Sequence, residues 1–149
     1  NIQLIEKKDN VRGEPRDYRY RYSLPKGRYN LYFWIDEGGK NIEGLKSNPI
    51  FVNKNVELSK GTIRIQFPSD ELANGWVTID SRKRFMPPHI MTGPNQAEFV
   101  TGKAEVPLNK DVTLLAITTN ADGRHNGSRD PRKHDLVWYF KCRISPATK

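Results

Sequence analysis

The stretch LVWYFKCRI, residues 136–144, carries the strongest strand pattern in the chain. Every second residue from Leu136 to Ile144 is apolar, and Lys141 and Arg143 fall in the other phase. Because successive side chains of a strand point to opposite faces, this alternation predicts a strand with one buried face. Cys142 is in the apolar phase, so we expect it to be buried and unreactive.

Similar alternation extends through much of the chain. Runs 18–24 and 28–36 flank Pro25-Lys26-Gly27, a turn signal, and together they predict a hairpin. Runs 49–58 and 62–67 flank Ser59-Lys60-Gly61 in the same way. Asn53-Lys54-Asn55 interrupts the third run, which predicts a bulge or an edge there. Residues 112–119 are apolar in both phases, as is typical of a central strand.

The spacing of these runs predicts the fold class. No pattern indicates a helix of three turns, and at most one short helical turn is expected, at residues 69–74. Eight or nine short strands indicate a sandwich or a barrel, of which we favour the sandwich. The sequence therefore predicts an all-β protein: a single domain, residues 1–149, formed by a β-sandwich of two mainly antiparallel sheets.

Composition limits the possible classes of protein. The chain has 149 residues, and its three Trp, six Tyr and six Phe argue against disorder. A single cysteine excludes a disulfide framework within the chain. No apolar run approaches the roughly 20 residues of a membrane-spanning helix, so no transmembrane segment is predicted. The formal charge of +8 permits anionic partners but does not by itself identify one.

The stretch LPKGRYNL, residues 24–31, resembles the L-P-x-G-x-Y-x-L signature of prealbumin-like and related immunoglobulin-like sandwich modules. In that signature a tight turn delivers a tyrosine, here Tyr29, into the following strand. The resemblance implies a sandwich architecture and non-catalytic binding in exported bacterial proteins. It carries no functional residues across to this chain.

The sequence contains no recognisable catalytic motif. We assign no catalytic residue, no cofactor and no metal, because His89, His125 and His134 match no standard zinc spacing. An enzyme that uses histidines and aspartates of the 120–135 loop remains an alternative.

The candidate binding residues form three groups. A polar, turn-rich loop at 120–135 is expected to be the main interaction element, because such long loops are often functional. A run of three basic residues forms the second group, and two aromatic residues expected on an outer sheet face form the third. The residues of the three groups are Arg124, His125, Arg129, Arg132, Lys133 and His134; Arg82, Lys83 and Arg84; and Tyr32 and Trp34.

These features lead to one functional expectation and two alternatives. We expect a non-catalytic module, secreted or in the periplasm or cell envelope, that recognises a protein partner through charged loops. The chain begins at Asn1, which fits either the removal of a signal peptide or a cloned fragment. The alternatives are a module that binds carbohydrate or a polyanion, including nucleic acid, and the enzyme described above.

Overall fold

A computed structural model describes residues 2–8, 16–68, 74–90, 96–104, 108–120 and 130–147 of the chain. The strands are β1 (Ile2–Lys8), β2 (Arg16–Gly39), β3 (Ile42–Phe67), β4 (Trp76–Ile79), β5 (Arg82–Phe85), β6 (Gln96–Val100), β7 (Lys103–Ala104), β8 (Val112–Thr119) and β9 (Leu136–Pro146). Among the described residues, the helical structure consists of one 3-10 turn at Pro131–Lys133. The prediction of an all-β protein is therefore confirmed.

The strands join in one antiparallel sheet. Its main path runs in the order β5-β4-β3-β2-β9-β8-β6, while β1 pairs with β2 and β7 pairs with β1. Strand β8 lies between β9 and β6, so the prediction of a central strand at 112–119 is confirmed. Strand β5 ends the main path at one side and β6 ends it at the other.

Strands β2 and β3 are far longer than the predicted short strands, with 24 and 26 residues. The predicted hairpin between runs 18–24 and 28–36 is wrong, because both runs belong to the one strand β2. Ser23 pairs with Lys60 and Gly27 pairs with Leu58, so the residues around Pro25 form a bulge. A bulge and a turn both tolerate proline, which has no backbone N–H to donate.

The predicted break at residues 59–61 is also wrong, since β3 continues through it alongside β2. By contrast, the predicted bulge at 53–55 is confirmed. Tyr29 pairs with Val56 and Leu31 pairs with Asn53, so Asn30 faces two residues of β3. Asn55 has a φ of 56°, a left-handed conformation that asparagine tolerates better than most residues.

Three tyrosines of β2 show how the sheet encloses its core. Tyr18, Tyr20 and Tyr22 are buried, and their hydroxyl groups donate to Glu98, to the Leu114 carbonyl oxygen and to Asp80. Glu98 lies on β6 and Leu114 on β8, and neither strand is a neighbour of β2 in the sheet. The sheet therefore curls over, and its core lies between parts of the sheet that are distant along the strand order.

Residues 136–144 form most of β9, and four of the five residues of the apolar phase are buried as predicted, while Leu136 is partly buried. Trp138 is fully buried, and its Nε1 donates to Glu37 Oε2 at 2.9 Å. Phe140 packs edge-on against Phe67 of β3, with ring centroids 5.7 Å apart. Cys142 is also fully buried, which confirms the predicted core position of its thiol.

Two further predictions concern segments that are only partly described. The helical turn expected at residues 69–74 lies almost entirely outside the described residues. In the 120–135 loop, the structure describes Asn120 and residues 130–135. Asp130 caps the 3-10 turn there, since its side chain accepts from the backbone N–H of Arg132 at 3.0 Å.

Candidate functional site

Tyr32 and Trp34 lie half-buried on the outer face of β2, opposite a buried phase that includes Phe33. The sheet register places each ring in a row across three strands. Tyr32 lies between Val52 of β3 and Arg143 of β9. Trp34 lies between Pro49 of β3 and Lys141 of β9. All residues of the two rows except Lys141 line a shallow outer groove with a volume of about 430 Å³.

The floor of this outer groove combines apolar and cationic groups. Val52 is 57 % exposed, unusually accessible for a large aliphatic side chain beside two aromatic rings. The Arg143 guanidinium carbon lies 5.7 Å from the centroid of the Trp34 ring, within the range of a cation–π contact. Such a surface can take up a protein side chain or another flat group without any chemical change.

Ion pairs border the outer groove on two sides. Arg143 Nη2 lies 2.6 Å from Asp111 Oδ1, and both side chains are well exposed. Lys141 Nζ lies 2.9 Å from Asp36 Oδ2, and both of these side chains are largely buried. Ser47 Oγ also donates to Asp36. Burial alone would raise the pKa of Asp36, but the hydrogen bonds from Ser47 and Lys141 and the Lys141 charge hold it below its ordinary value.

The basic run Arg82, Lys83 and Arg84 forms most of β5, at the edge of the sheet, and is exposed. The sequence shows these charges but gives no strand signal, because a run of cations lacks the apolar alternation of a half-buried strand. Lys83 Nζ lies 4.4 Å from the Trp76 ring centroid and 4.9 Å from that of Phe85. Charged side chains of this kind are a common means of protecting a sheet edge from pairing with other chains.

The structure describes only some of the candidate binding residues of the 120–135 loop. Arg124, His125 and Arg129 lie outside the described residues. Arg132 and Lys133 are exposed on the 3-10 turn, where Arg132 Nη2 bonds Asp130 Oδ2 at 3.0 Å.

His134 differs from the surface position expected of a loop residue, because its side chain is fully buried. Its Nδ1 lies 3.0 Å from the side-chain nitrogen of Asn120. The Asn120 side-chain oxygen in turn accepts from the backbone N–H of Asp135 at 3.0 Å. Asn120 thus joins the two ends of the 120–135 loop, and His134 serves as a structural contact inside it.

A second cavity of about 530 Å³ lies between the β4–β5 turn and the bulged part of β2 and β3. Arg28 and Arg82 stand at its rim, and Leu58 and Ile79 belong to its lining. The residues that line this cavity were not predicted from the sequence as a site. The interruption at Asn53-Lys54-Asn55 was the one available signal, since it marks the bulge that lines the cavity.

The remaining titratable groups give little support to catalysis. His89 Nε2 lies 3.0 Å from Glu37 Oε2, the oxygen that also accepts from Trp138. Burial raises the pKa of the Cys142 thiol to about 12, so it does not supply a thiolate near neutral pH. In the part of the chain that the structure describes, His, Cys, Asp and Glu form no group of three that could hold a metal ion.

Comparison of the chain with protein-family models, with curated proteins and with solved structures found no match in any of the three. Among the described residues, no helix has the length and apolar character needed to cross a membrane.

Proposed function

We propose that this protein is a non-catalytic binding module of an exported or cell-envelope assembly, and that it recognises a protein partner through the outer groove. The observation that carries this proposal is the grouping of Tyr32, Trp34 and Arg143 around the exposed side chain of Val52. Trp, Tyr and Arg are the residues that most often dominate binding energy at protein interfaces. The polar border fits a rim around a central contact.

The contacts of Trp34 favour a protein partner over a carbohydrate. Stacking of a sugar needs an open ring face, but the Arg143 guanidinium lies over the Trp34 ring. A protein surface can instead meet the ring edge, the aliphatic Val52 and the guanidinium together, without displacing any of them.

The proposed architecture is the predicted sandwich, with the single hydrogen-bonded sheet folded into two facing layers. The contacts from Tyr20 to Leu114 and from Phe67 to Phe140 support it, because they join strands that are not neighbours in the sheet. The resemblance of residues 24–31 to prealbumin-like modules supports the same architecture. It also supports a location in the cell envelope or outside the cell.

A polyanion is the second candidate ligand, and the exposed strand β5 favours it. Within the described residues, none of Arg82, Lys83 and Arg84 forms an ion pair with a carboxylate. Their charges are therefore available to phosphate or sulfate groups.

Photo-crosslinking from the outer groove tests the proposed function. A photoreactive phenylalanine analogue replaces Val52 in the protein expressed in its own cells, and the same analogue replaces Leu45 as the matched control. Leu45 is also exposed, at 46 %, and it does not line the outer groove. We expect a discrete protein adduct from position 52 and none from position 45.

Substitution of the central ring then tests which residue carries the binding. Trp34→Ala is added to the protein that carries the photoreactive residue at position 52. The adduct should fall at least tenfold, because loss of a hot-spot ring costs about 2 kcal/mol of binding free energy or more. The triple variant Arg82→Gln, Lys83→Gln and Arg84→Gln should leave the adduct unchanged. Equal adducts from positions 45 and 52 would contradict the proposal. Loss of the adduct only in the triple variant would favour the polyanion candidate.

A further inference from the structure

The second cavity exists because of the bulge in β3. Asn55 takes its left-handed conformation there, and its backbone N–H donates to Asn30 Oδ1 at 2.9 Å. Arg28 Nε in turn donates to Asn55 Oδ1 at 2.8 Å, which holds the guanidinium at the rim of the cavity. The bulge therefore makes room in the sheet and also positions one cation beside that room.

The rim carries more uncompensated positive charge than negative charge. Arg28 binds neutral amide and carbonyl oxygens of Asn55, and within the described residues neither Arg28 nor Arg82 forms an ion pair with a carboxylate. Of the two carboxylates that line the cavity, Glu57 is paired with Lys26 at 3.7 Å. Two guanidinium groups thus face one uncompensated carboxylate, that of Asp80.

The Asp80 carboxylate is already committed to the fold. Its Oδ2 accepts from the Tyr22 hydroxyl at 2.7 Å, and its Oδ1 accepts from the backbone N–H of Thr62 at 3.0 Å. These bonds hold the β4–β5 turn against β3 and leave Asp80 little capacity to bind a cation from solution. The rim is consequently better suited to an anion.

The lining below the rim is aliphatic. Leu31, Leu58 and Ile79 are buried core residues that also line the cavity. Asn53 lines it as well, and its side-chain nitrogen is a buried donor without a hydrogen-bond partner among the described residues. A volume of about 530 Å³ lies within the range of small-molecule sites.

We propose that this cavity binds a compact organic anion. The carboxylate or phosphate group of the ligand pairs with Arg28 and Arg82, since guanidinium groups match the geometry of both anions. An aliphatic or ring-shaped body packs on the lining around Leu58. The site is separate from the outer groove around Trp34, so the inference does not depend on the proposed function.

Titration of the ¹⁵N-labelled protein, followed by NMR, tests this inference. The probes are hexanoate, hexyl phosphate, hexanol and inorganic phosphate. We expect saturable shifts of the amide signals of Asn53, Ser81 and Arg82 with hexanoate or hexyl phosphate, and the tighter of the two identifies the preferred head group. Hexanol and inorganic phosphate should each bind at least tenfold more weakly, because each lacks one half of the recognised chemistry.

Variants separate charge recognition from general apolar binding. Arg28→Gln and Arg82→Gln should each weaken binding at least tenfold, and both residues are exposed, so the fold should be retained. Ser81→Glu, which adds a carboxylate at the rim, should weaken it similarly. Arg143→Gln, in the outer groove, is the matched control and should have no effect. Unsaturable shifts, equal binding of hexanol, or equal binding by the Arg82→Gln protein would overturn the inference.

Discussion

The single thiol of the protein illustrates how burial can dominate the chemistry of a residue. Cys142 lies on β9, where it pairs with Phe33 of β2 and Val112 of β8, and its side chain has no exposed surface. Burial disfavours the charged thiolate and raises the pKa of the thiol, and the negative charge of Asp111 adds to that effect. The residue therefore behaves as a small apolar group.

This shift predicts a loss of stability at alkaline pH. The ordinary pKa of the thiol is 9.0, and in the folded protein it rises to about 12. Between those values the unfolded chain releases the proton and the folded chain keeps it. The free energy of unfolding should therefore fall as pH rises from 9, by up to about 1.4 kcal/mol per pH unit from this group.

Urea unfolding of the wild type and of Cys142→Ala between pH 7 and pH 10.5 measures this contribution. The difference between the two stabilities should shrink as the pH rises above 9. Some slope should persist in the variant, because burial also raises the pKa of Tyr20 and of Tyr22. Parallel stability curves, or rapid labelling of Cys142 in the native protein at pH 8, would contradict the assigned burial.

At the scale of the element, the turn between β2 and β3 is held by the 130–135 segment. The backbone N–H of Lys40 donates to the His134 carbonyl oxygen at 2.9 Å. Lys40 Nζ also lies 3.2 Å from Asp135 Oδ1. The end of β2 is therefore packed directly against the backbone of this segment. That close approach explains why β2 ends at a glycine, Gly39, since a side chain there would meet the backbone of Asp135.

Substitution of Gly39 tests this packing. A Cβ atom at Gly39 would overlap the carbonyl oxygen of Asp135, and a backbone atom cannot rotate away as a side chain can. Gly39→Ala should therefore lower the free energy of unfolding by about 1–3 kcal/mol, the range typical of overpacking. Gly102→Ala is the matched control, because nothing lies within 4 Å of its Cβ position and its φ is not positive.

Thermal or urea unfolding of the two glycine variants gives the comparison directly. Gly102→Ala should leave stability unchanged or raise it by up to about 1 kcal/mol, because alanine restricts the unfolded chain, and Gly39→Ala should lie well below it. Equal stabilities would show that the turn between β2 and β3 is not in close contact with Asp135.

At the scale of the whole molecule, the long strands β2 and β3 run through two regions of the sheet, each with its own neighbouring strands. The first part of β2 pairs with β1 and the end of β3, and its second part pairs with β9 and the start of β3. Unfolding of one part would therefore break strands that the other part needs. This continuity predicts one cooperative unfolding transition.

The three tryptophans allow that prediction to be measured. Trp76 lies on β4 beside the end of β3, whereas Trp34 and Trp138 lie in the paired strands β2 and β9. In Trp76→Phe, tryptophan fluorescence comes only from Trp34 and Trp138 and therefore reports the region around β2 and β9. Far-UV circular dichroism, by contrast, reports all strands. In this variant the two signals should have the same urea midpoint, as two-state unfolding requires. Separate midpoints would show that the regions unfold independently.

The sequence by itself determined the buried face of several strands. Alternation in the runs 18–24 and 136–144 predicted the buried phase, because a two-residue period leaves each strand only two faces. It also predicted a bulge or an edge at residues 53–55, since polar residues there break that period, and the structure has the bulge. The outer-face position of Tyr32 and Trp34 followed from the same rule. All of these are local properties of one strand.

Tertiary structure decided where strands end and which surfaces meet. Proline and glycine at residues 25–27 suit a turn and a bulge equally, and only the continuous pairing with β3 selects the bulge. The exposed residues 82–85 form strand β5 because they pair with β4, and their own sequence has no alternation that predicts a strand. The cavity rim brings Arg28 near Arg82, and this proximity depends on the bulge in β3 and on the turn between β4 and β5. Residues so distant along the chain leave no periodic signal, because their proximity is set by packing.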